Sequence, residues 1–170
     1  MSDTAAHQLA EARKQAVSQG LRECACCYIT RGRREVLVFD HTPEYPNAGV
    51  QVPAGGVDPG ETPEQAAIRE AFEESGLRGL SAPVYLGSRP FVQEVLGRSV
   101  RVMRHFFWLA APETTPDAWA HTVSAGEEDH GLVFLLRFAP LDAPGLDWRQ
   151  DDLLPELRVH LESKPAGAAP

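Results

Sequence analysis

A glycine-rich loop followed by a strongly capped helix is the feature that most constrains the fold of this chain. Residues 55–77 read GGVDPGETPEQAAIREAFEESGL. Thr62 and Gln65 have the spacing of a capping box, and Pro63 suits the first helical position. The glycine after the final serine suits the left-handed residue that ends a helix. The sequence therefore predicts a helix over residues 63–75, about 20 Å long.

Three glutamates lie close together on this predicted helix. Glu70 comes three residues before Glu73 and four before Glu74, so the three carboxylates can converge. Like charges at this spacing repel each other, and the C-terminal half of a helix disfavours anions. The spacing alone leaves two interpretations open: a solvated acidic face, and a site that holds a metal ion.

The apolar residues of the helix predict which side packs against the core. At 100° per residue, one arc contains Ala67, Ile68, Ala71 and Phe72, and the glutamates fall in another. We therefore expect the apolar arc to face the core and the glutamates to lie on the nearly opposite side.

The whole stretch resembles the Nudix box, whose pattern is G-x5-E-x7-R-E-U-x-E-E-x-G-U, with U a bulky aliphatic residue. The pattern is filled here by Gly55, Glu61, Arg69, Glu70, Glu73, Glu74, Gly76 and Leu77. Ala71 stands where an aliphatic residue is usual, and this departure concerns packing rather than chemistry. Seven matches to fixed residue types arise by chance on the order of once in 10⁸ trials.

The resemblance implies an activity, a metal ion and its ligands. The activity is Mg²⁺-dependent hydrolysis of a pyrophosphate bond in a nucleoside diphosphate linked to another moiety, with Mn²⁺ as a substitute ion. Magnesium takes oxygen ligands, which clustered carboxylates supply. The ligands implied by the resemblance are Gly55, through its backbone carbonyl, and Glu61, Glu70, Glu73 and Glu74. Glu61 would act directly or through a metal-bound water.

The catalytic residues implied by the resemblance are Arg69, the three helix glutamates (Glu70, Glu73 and Glu74) and a general base. Arg69 is expected to orient the glutamates through an ion pair. Family members place the base on the box helix or on a later loop. Here the loop GEEDHG offers Glu127 or Glu128, of which we select Glu128. His130 is a further alternative, and a solvated acidic turn is the competing interpretation of the loop.

Residues outside the box are expected to select the substrate. Candidate phosphate or base contacts are Arg22, Arg31, Arg33, Arg34, Arg89, Arg101 and Arg104. Candidate stacking residues are Phe91, Phe106, Phe107 and Trp108, for which core packing is the competing interpretation. The chain matches no Nudix subfamily marker well, so the substrate stays open. Two other functions also stay open: a catalytically inactive Nudix-fold ligand-binding or regulatory protein, and an isomerase of the related prenyl-diphosphate type.

Length and charge narrow the class of protein. A chain of 170 residues suits one domain with a full hydrophobic core. Its net charge of −8 disfavours nonspecific binding to nucleic acid. No apolar run is long enough to span a bilayer, and the N-terminal segment lacks the apolar region of a secretory signal. We therefore expect a cytoplasmic protein that binds a small nucleoside diphosphate derivative, and neither nucleic acid nor a membrane.

The three cysteines, Cys24, Cys26 and Cys27, are packed into the segment ECACCYIT. This count and spacing fit neither a disulfide framework nor a structural zinc site. Alternation along a strand places Cys24 and Cys26 on one face and Cys27 on the other. We expect buried cysteines that act as small apolar residues, with a redox or metal role as the alternative.

The order of predicted elements favours an α/β fold with a mixed β-sheet sandwiched between α-helices, similar to the Nudix fold. Helices are predicted over residues 4–18, 63–75 and 147–163. Strands are predicted over residues 23–30, 35–40, 83–95, 98–111 and 131–141, and a short strand before the glycines of residues 49–56. Residues 112–131 are predicted to form a long polar loop.

The predicted domain organisation has three parts. Residues 1–20 form an N-terminal helical extension, residues 21–163 form the Nudix domain, and residues 164–170 form a disordered tail. The N-terminal helix and the apolar strand FFWLAA could support a homodimer.

Overall fold

The computed structural model describes residues 1–95, 97–125 and 129–163, which form a mixed sheet with helices on its faces. The helices are α1 (Asp3–Gln19), α2 (Pro63–Ser75) and α3 (Leu154–Ser163). The strands are β1 (Arg22–Arg31), β2 (Glu35–His41), β3 (Ala54–Gly56), β4 (Val84–Val95), β5 (Arg98–Ala110), β6 (Ala118–Thr122) and β7 (Val133–Pro140). The strand order is β4-β5-β1-β2-β7-β6, and β3 pairs with β1 beside this path.

The central strand β1 creates the place where the glycine loop enters the sheet. It pairs in parallel with β5 from Arg22 to Thr30, whereas the other strand pairs of the described residues are antiparallel. Its other edge is shared, because β2 pairs with Thr30 and Arg31 while β3 pairs with Cys24–Cys26. The strands β1 and β2 therefore diverge toward the start of β1, and β3 fills the space between them.

Helices cover both faces of the sheet. On one face, the alanines of α2 pack in a core with Cys27 and Phe107. On the other face, α3 packs Leu157 against a core that contains Cys26 and Tyr28. Successive residues of β1 thus alternate between the two cores, as a strand requires. This arrangement confirms the predicted α/β fold with a mixed sheet between helices.

The N-terminal helix α1 extends the predicted range by one residue at each end. Ser2 accepts a hydrogen bond from the backbone N–H of Ala5, and Gly20 follows the helix with a φ of 61°. The helix contacts β4, β5 and β1. No helix in the described part of the chain is long and apolar enough to cross a membrane. Residues 164–170, predicted to be a disordered tail, lie outside the described residues, and the division into 1–20 and 21–163 stays a prediction.

Two elements differ from the sequence-based expectation near the C-terminal half. The third helix begins at Leu154 rather than at residue 147. Trp148 and Arg149 have positive φ angles of 55° and 56°, which are incompatible with an α-helix. The second difference is β6, which forms inside the segment predicted as a polar loop. It pairs with β7 alone at the edge of the sheet, so its residues alternate between exposed and half-buried and none is fully buried.

The glycine segment also differs from expectation. The sequence predicted a short strand before the glycines, but β3 includes Gly55 and Gly56 themselves. The preceding residues make only an isolated bridge, between Gln51 and Phe39. Backbone hydrogen bonding to β1 therefore continues through the glycines. The lack of a side chain at Gly55 leaves space for the carboxylate of Glu70 on α2.

Two of the three cysteines and all four aromatic candidates are buried. Cys26 and Cys27 are buried on opposite faces of β1, and Cys24 is half-buried on the face of Cys26. The prediction of buried strand cysteines is confirmed for Cys26 and Cys27. The proposed stacking residues all lie in the interior and are at most 5% exposed: Phe91, Phe106, Phe107 and Trp108. Core packing is therefore the correct interpretation of these four residues.

Candidate active site

The helix α2 has the predicted limits and the predicted caps. The hydroxyl of Thr62 accepts a hydrogen bond from the backbone N–H of Gln65, and the Gln65 side chain accepts one from the N–H of Thr62. At the other end, Gly76 has a φ of 71° and donates its N–H to the carbonyl of Phe72. The capping box and the left-handed glycine thus fix both ends of the helix that carries the three glutamates.

The predicted orientation of this helix is wrong for its two largest apolar residues. Ile68 is 52% exposed and Phe72 is 38% exposed, although both were expected to face the core. The guanidinium of Arg78 lies over the Phe72 ring, 4.8 Å from its centroid. These side chains therefore lie on the outer side of α2.

The buried face of α2 combines alanines with two of the glutamates. Ala67 and Ala71 are completely buried, Glu70 is 8% exposed and Glu74 is 3% exposed. These four residues are separated by steps of three, one and three, so they form one stripe along the helix. Small alanine side chains let the helix approach β1 closely, which draws the neighbouring carboxylates into the interface with the sheet.

The strand β3 lies directly against these buried carboxylates. A Cβ atom at Gly55 would overlap the carboxylate of Glu70, so only glycine fits beside it. One residue earlier, the backbone N–H of Ala54 donates a hydrogen bond of 2.9 Å to Glu74. The glycine loop therefore orients Glu74 through its backbone and leaves space for Glu70 by the absence of a side chain.

Arg69 lies at the centre of the remaining carboxylates. Its Nε and Nη2 donate to Glu61 at 3.0 and 2.9 Å. Its Nη1 lies 2.6 Å from Glu70 and 3.3 Å from Glu73. Its Nη2 also donates to the carbonyl of Gly56 at 2.8 Å. The expected ion pair of Arg69 is thus present, and it joins the glycine segment, the loop before α2 and the helix.

Burial makes the charges of Glu74 and Glu70 unfavourable. Burial raises the pKa of Glu74 well above its usual value, a hydrogen bond from Ala54 opposes this, and the charges of Glu70 and Asp129 add to it. Burial also raises the pKa of Glu70, while the guanidinium of Arg69 partly lowers it. By contrast, the hydrogen bonds from Arg69 lower the pKa of Glu61. Because burial disfavours the ionised forms of Glu70 and Glu74, a further cation close to them would stabilise their negative charge.

The donor set fits a hard divalent cation, although its side chains now face Arg69. Carboxylate oxygens and backbone carbonyls are the ligands that Mg²⁺ prefers. Among the described residues, no three acidic, histidine or cysteine side chains are already grouped to hold one ion. The reason is visible in the ion pairs, since Glu61, Glu70 and Glu73 all turn toward the guanidinium. Metal binding requires these carboxylates to exchange contacts with Arg69 for contacts with the ion.

The loop before β7 approaches the site through a residue that the sequence analysis did not select. Asp129 is half-buried, and its charge adds to the rise in the pKa of Glu74, which burial chiefly causes. Glu127 and Glu128 lie outside the described residues, and His130 is exposed. Asp129 stands in the same acidic segment, GEEDHG, so this composition was the available signal.

Two side chains of β6 hold the C-terminal end of α2. Trp119 donates its indole N–H to the carbonyl of Ser75 at 2.8 Å. His121 lies 2.9 Å from the carbonyl of Glu73 through Nε2, so this nitrogen carries the proton. A Cβ atom at Gly76 would be 2.8 Å from the His121 ring, which shows how closely the two elements pack. These contacts were missed because β6 itself was not predicted.

The predicted substrate arginines are dispersed, and most are engaged in other contacts. Arg31 pairs with Glu35 and Asp117, and Arg89 pairs with Glu156. Arg101 donates to a backbone carbonyl at the end of α1. The exposed arginines Arg22, Arg33 and Arg34 lie on or just after β1.

Arg104 is the buried arginine candidate, and it donates a hydrogen bond to the backbone carbonyl of Trp148. It is 8% exposed, and its guanidinium lies 3.9 Å from the ring centroid of Phe91. The pKa of Cys24 is lowered chiefly by a hydrogen bond from Cys26, and the charges of Arg104 and Glu70 act on it in opposite directions. Cys24 therefore lies within electrostatic range of both groups.

Comparison with known proteins shows the family to which the chain belongs. The NUDIX domain family matches residues 20–157 of the chain. The chain is 40% identical over 63 residues to diphosphoinositol polyphosphate phosphohydrolase 3-alpha of Mus musculus, covering 36% of this chain and 37% of that protein. It is 49% identical over 43 residues to the RNA pyrophosphohydrolase of Pectobacterium atrosepticum, covering 25% of this chain and 24% of that protein. The chain thus spans well under half the length of these relatives.

The fold is similar to that of solved structures over most of the chain. A binary complex of the C. elegans Ap4A hydrolase superposes with a TM-score of 0.57 and 22% identity, covering 85% of this chain and 100% of that chain. The MutT protein from Methanosarcina mazei gives a TM-score of 0.57 and 15% identity, covering 85% of this chain and 96% of that chain. Together with the matched domain and the completed box, these similarities identify the chain as a member of the NUDIX domain family.

Proposed function

We propose that this chain hydrolyses a pyrophosphate bond in a nucleoside diphosphate linked to another moiety, with Mg²⁺ as the metal ion or Mn²⁺ as its substitute. The observation that carries the proposal is the convergence of Glu61, Glu70 and Glu73 on one cationic group, the guanidinium of Arg69. Glu74 adds a fourth carboxylate on the buried side of the same helix. Such a concentration of carboxylates beside a glycine segment is suited to binding a metal ion that contacts phosphate.

The relatives support the class of reaction. Two of them are named as a phosphohydrolase and a pyrophosphohydrolase, and the structural neighbour is named as an Ap4A hydrolase. The substrates in these names differ from one another, while hydrolysis is common to them. We therefore propose the reaction class and leave the second moiety of the substrate to experiment.

The proposed metal ligands are Glu61, Glu70, Glu73 and Glu74, together with the backbone carbonyl of Gly55. When bound, the metal ion would neutralise phosphate charge and lower the pKa of a water molecule. The protein contributes orientation at Glu74, because the backbone N–H of Ala54 holds this carboxylate in place before the ion binds. This order reduces the reorganisation needed for catalysis.

The acidic loop before β7 is proposed to supply the proton acceptor for the attacking water. Glu128 is the proposed general base. Its neighbour Asp129 influences the pKa of Glu74, which supports an approach of this loop to the box helix. A base on a loop can approach the reacting water independently of the rigid helix that holds the ligands.

The test compares turnover by the wild-type protein, Glu74→Gln and a matched control, Glu64→Gln. Glu64 lies on the same helix ten residues earlier, about 15 Å along its axis. Release of phosphate products is measured with Mg²⁺ on a panel of nucleoside diphosphate derivatives and nucleoside triphosphates. We expect Glu74→Gln to lower kcat/KM by about 100-fold or more, since a ligand is lost, and Glu64→Gln to stay within about twofold.

Two results would contradict the proposal. Equal turnover by the wild type and Glu74→Gln would mean that the buried carboxylates are structural. Saturable Mg²⁺ binding without turnover on any compound would instead favour a ligand-binding protein of the same fold. Titration of Mg²⁺ against thermal stability separates these outcomes, because a metal that binds only the folded state raises Tm whether or not catalysis follows.

A further inference from the structure

A cavity of about 450 Å³ lies at the end of the molecule away from the glutamate cluster. The turn between β1 and β2, the end of β7 and the helix α3 line this cavity. Its volume is within the range of small-molecule binding sites. The glycine segment pairs with β1 around Ala25, whereas the turn follows Arg31. Six residues of strand, about 20 Å, therefore separate the two places.

The lining of the cavity concentrates positive charge in an otherwise acidic protein. Arg33 and Arg34 enter from the turn and Arg158 from α3, while the whole chain has a net charge of −8. The acidic lining residues are Asp142, whose side chain is 99% exposed, and Glu162, which is also exposed. The carboxylates can therefore stay in solvent while the arginines face a bound anion.

Arg158 carries the observation that points to a ligand. Its Nη2 donates to the carbonyl of Leu141 at 3.1 Å, which fixes the side chain at the edge of the cavity. Its Nε is buried and has no hydrogen-bond acceptor among the described residues. The carboxylate of Asp142 lies 3.8 Å from this nitrogen, which is beyond hydrogen-bond distance. A buried donor without a hydrogen-bond acceptor is unfavourable, and an anion satisfies it by displacing the exposed Asp142 side chain that now faces this nitrogen.

Arg34 adds a second guanidinium that is available to a ligand. Its side chain is exposed and makes no hydrogen bond or ion pair with the part of the chain that the structure describes. Its backbone carbonyl accepts the N–H of Leu141, so the turn and the end of β7 are held together. Guanidinium groups on two connected elements can form the paired hydrogen bonds that phosphate oxygens prefer.

We propose that this cavity is an anion site, distinct from the box, that binds a phosphate-bearing small molecule. The phosphate contacts Arg34 and the Nε of Arg158. The apolar part of the ligand packs against Leu141 and Leu161, which also line the cavity. This site does not depend on the proposed hydrolysis, because none of its residues belongs to the box.

The test measures binding by NMR in the metal-free protein, with inorganic phosphate and AMP as separate probes. Without a divalent ion the glutamate cluster repels anions, so a response there is not expected. We expect both probes to shift the backbone amides of residues 33–34, 140–142 and 158–162. AMP should bind more tightly than phosphate if the apolar surface contributes. Tighter binding of phosphate alone would limit the site to inorganic phosphate.

Arginine variants distinguish a specific anion site in the cavity from nonspecific attraction of the anion to any surface arginine. Arg34→Gln and Arg158→Gln are each expected to weaken phosphate binding by about tenfold, as loss of a charge-assisted hydrogen bond implies. Arg98→Gln removes the same charge from an exposed position at the start of β5 and should leave binding within about twofold. Arg34→Gln removes no contact within the described residues, so it keeps the test valid if Arg158→Gln unfolds.

Three results would overturn the proposal. The first is the absence of amide shifts with both probes at millimolar concentration. The second is equal weakening by Arg34→Gln and Arg98→Gln, which would indicate nonspecific charge attraction. The third is a response confined to the amides around Glu70 and Glu74, which would place the anion at the box. None of these results would affect the turnover test, so the two proposals fail independently.

Discussion

Gly55 and Gly56 are adjacent glycines in different surroundings, which gives a matched pair of substitutions. A Cβ at Gly55 would overlap the carboxylate of Glu70, whereas a Cβ at Gly56 would meet no atom within 4 Å. We expect Gly55→Ala to displace Glu70 and to lower kcat/KM by at least about tenfold. Gly56→Ala should stay within about twofold. Steady-state turnover and Mg²⁺ titration of both variants test this expectation.

The comparison also controls for the unfolded state. Both substitutions remove one glycine from the same strand, so they change the entropy of the unfolded chain similarly. A loss of activity that is equal in the two variants would contradict a specific role of the Gly55–Glu70 approach. Normal activity of Gly55→Ala would show that Glu70 can move without affecting the site.

At the residue scale, the sequence predicted which residues form the candidate site better than it predicted how deeply each one is buried. The box pattern selected Arg69 and the glutamates, and the structure brings Arg69 into contact with Glu61, Glu70 and Glu73. The burial of Glu74 was not predicted, because a helical wheel ranks glutamate as an outward-facing residue. Its burial depends on the Ala54 N–H, a tertiary contact with a strand twenty residues away.

At the scale of elements, β6 serves to hold the box helix in place. The indole N–H of Trp119 is the donor to the carbonyl of Ser75, the last residue of α2. Trp119→Phe keeps an aromatic ring beside Phe138 but removes this donor. We expect a loss of about 1 kcal/mol in the free energy of unfolding. We also expect kcat to fall more than KM changes, because the end of α2 carries Glu73.

Urea unfolding and steady-state kinetics of Trp119→Phe check these two effects separately. A stability loss with unchanged kcat would mean that the contact supports folding only. Unchanged stability together with unchanged kcat would contradict both parts of the prediction. Trp119→Tyr is a useful companion, since its hydroxyl is a donor on a ring of different shape and can restore part of the effect.

Helices and strands whose limits are set by residues at their own ends were predictable from the sequence. Those whose limits depend on contacts with distant parts of the chain were not. The limits of α2 follow from Thr62, Gln65 and Gly76, all of which act within one turn of the helix ends. The strand β6 pairs only with β7 among the described strands, and every second residue is exposed, so no buried apolar run marks it in the sequence. The start of α3 was misplaced because Trp148 adopts a positive φ that no local preference favours.

At the scale of the whole molecule, the sheet order depends on contacts between distant parts of the chain. β1 pairs in parallel with β5, about eighty residues later, and β3 inserts beside it. Hydrophobic periodicity reports which residues face the core, but it carries no information about strand neighbours. The class of fold could therefore be predicted from the order of the elements, while the order of the strands in the sheet could be seen only in the structure.

A hydrogen-bond network joins four of these elements around a buried histidine. His105 on β5 is completely buried, with Nδ1 2.7 Å from the hydroxyl of Ser88 on β4 and Nε2 3.0 Å from Glu23 on β1. Arg13 on α1 donates to the same Glu23 at 2.8 Å. Tyr85 lies 2.7 Å from the Ser88 hydroxyl. The network thus links the N-terminal helix to the sheet through one titratable ring.

Burial lowers the pKa of His105, and the hydrogen bond and charge of Glu23 oppose this only in part. In the unfolded chain this histidine has an ordinary pKa of about 6.5, so as pH falls it takes up a proton before the histidine of the folded protein does. Below this pH the free energy of unfolding falls as pH falls, by up to about 1.4 kcal/mol per pH unit, until the folded ring is protonated as well. The pKa of His41 is also lowered by burial, so protonation of His41 lowers the free energy of unfolding over the same pH range.

Urea unfolding between about pH 7.5 and pH 5 should show this slope, and His105→Gln should reduce it while leaving the His41 contribution. An identical slope in the wild type and His105→Gln would show that the network does not couple protonation to the stability of the molecule.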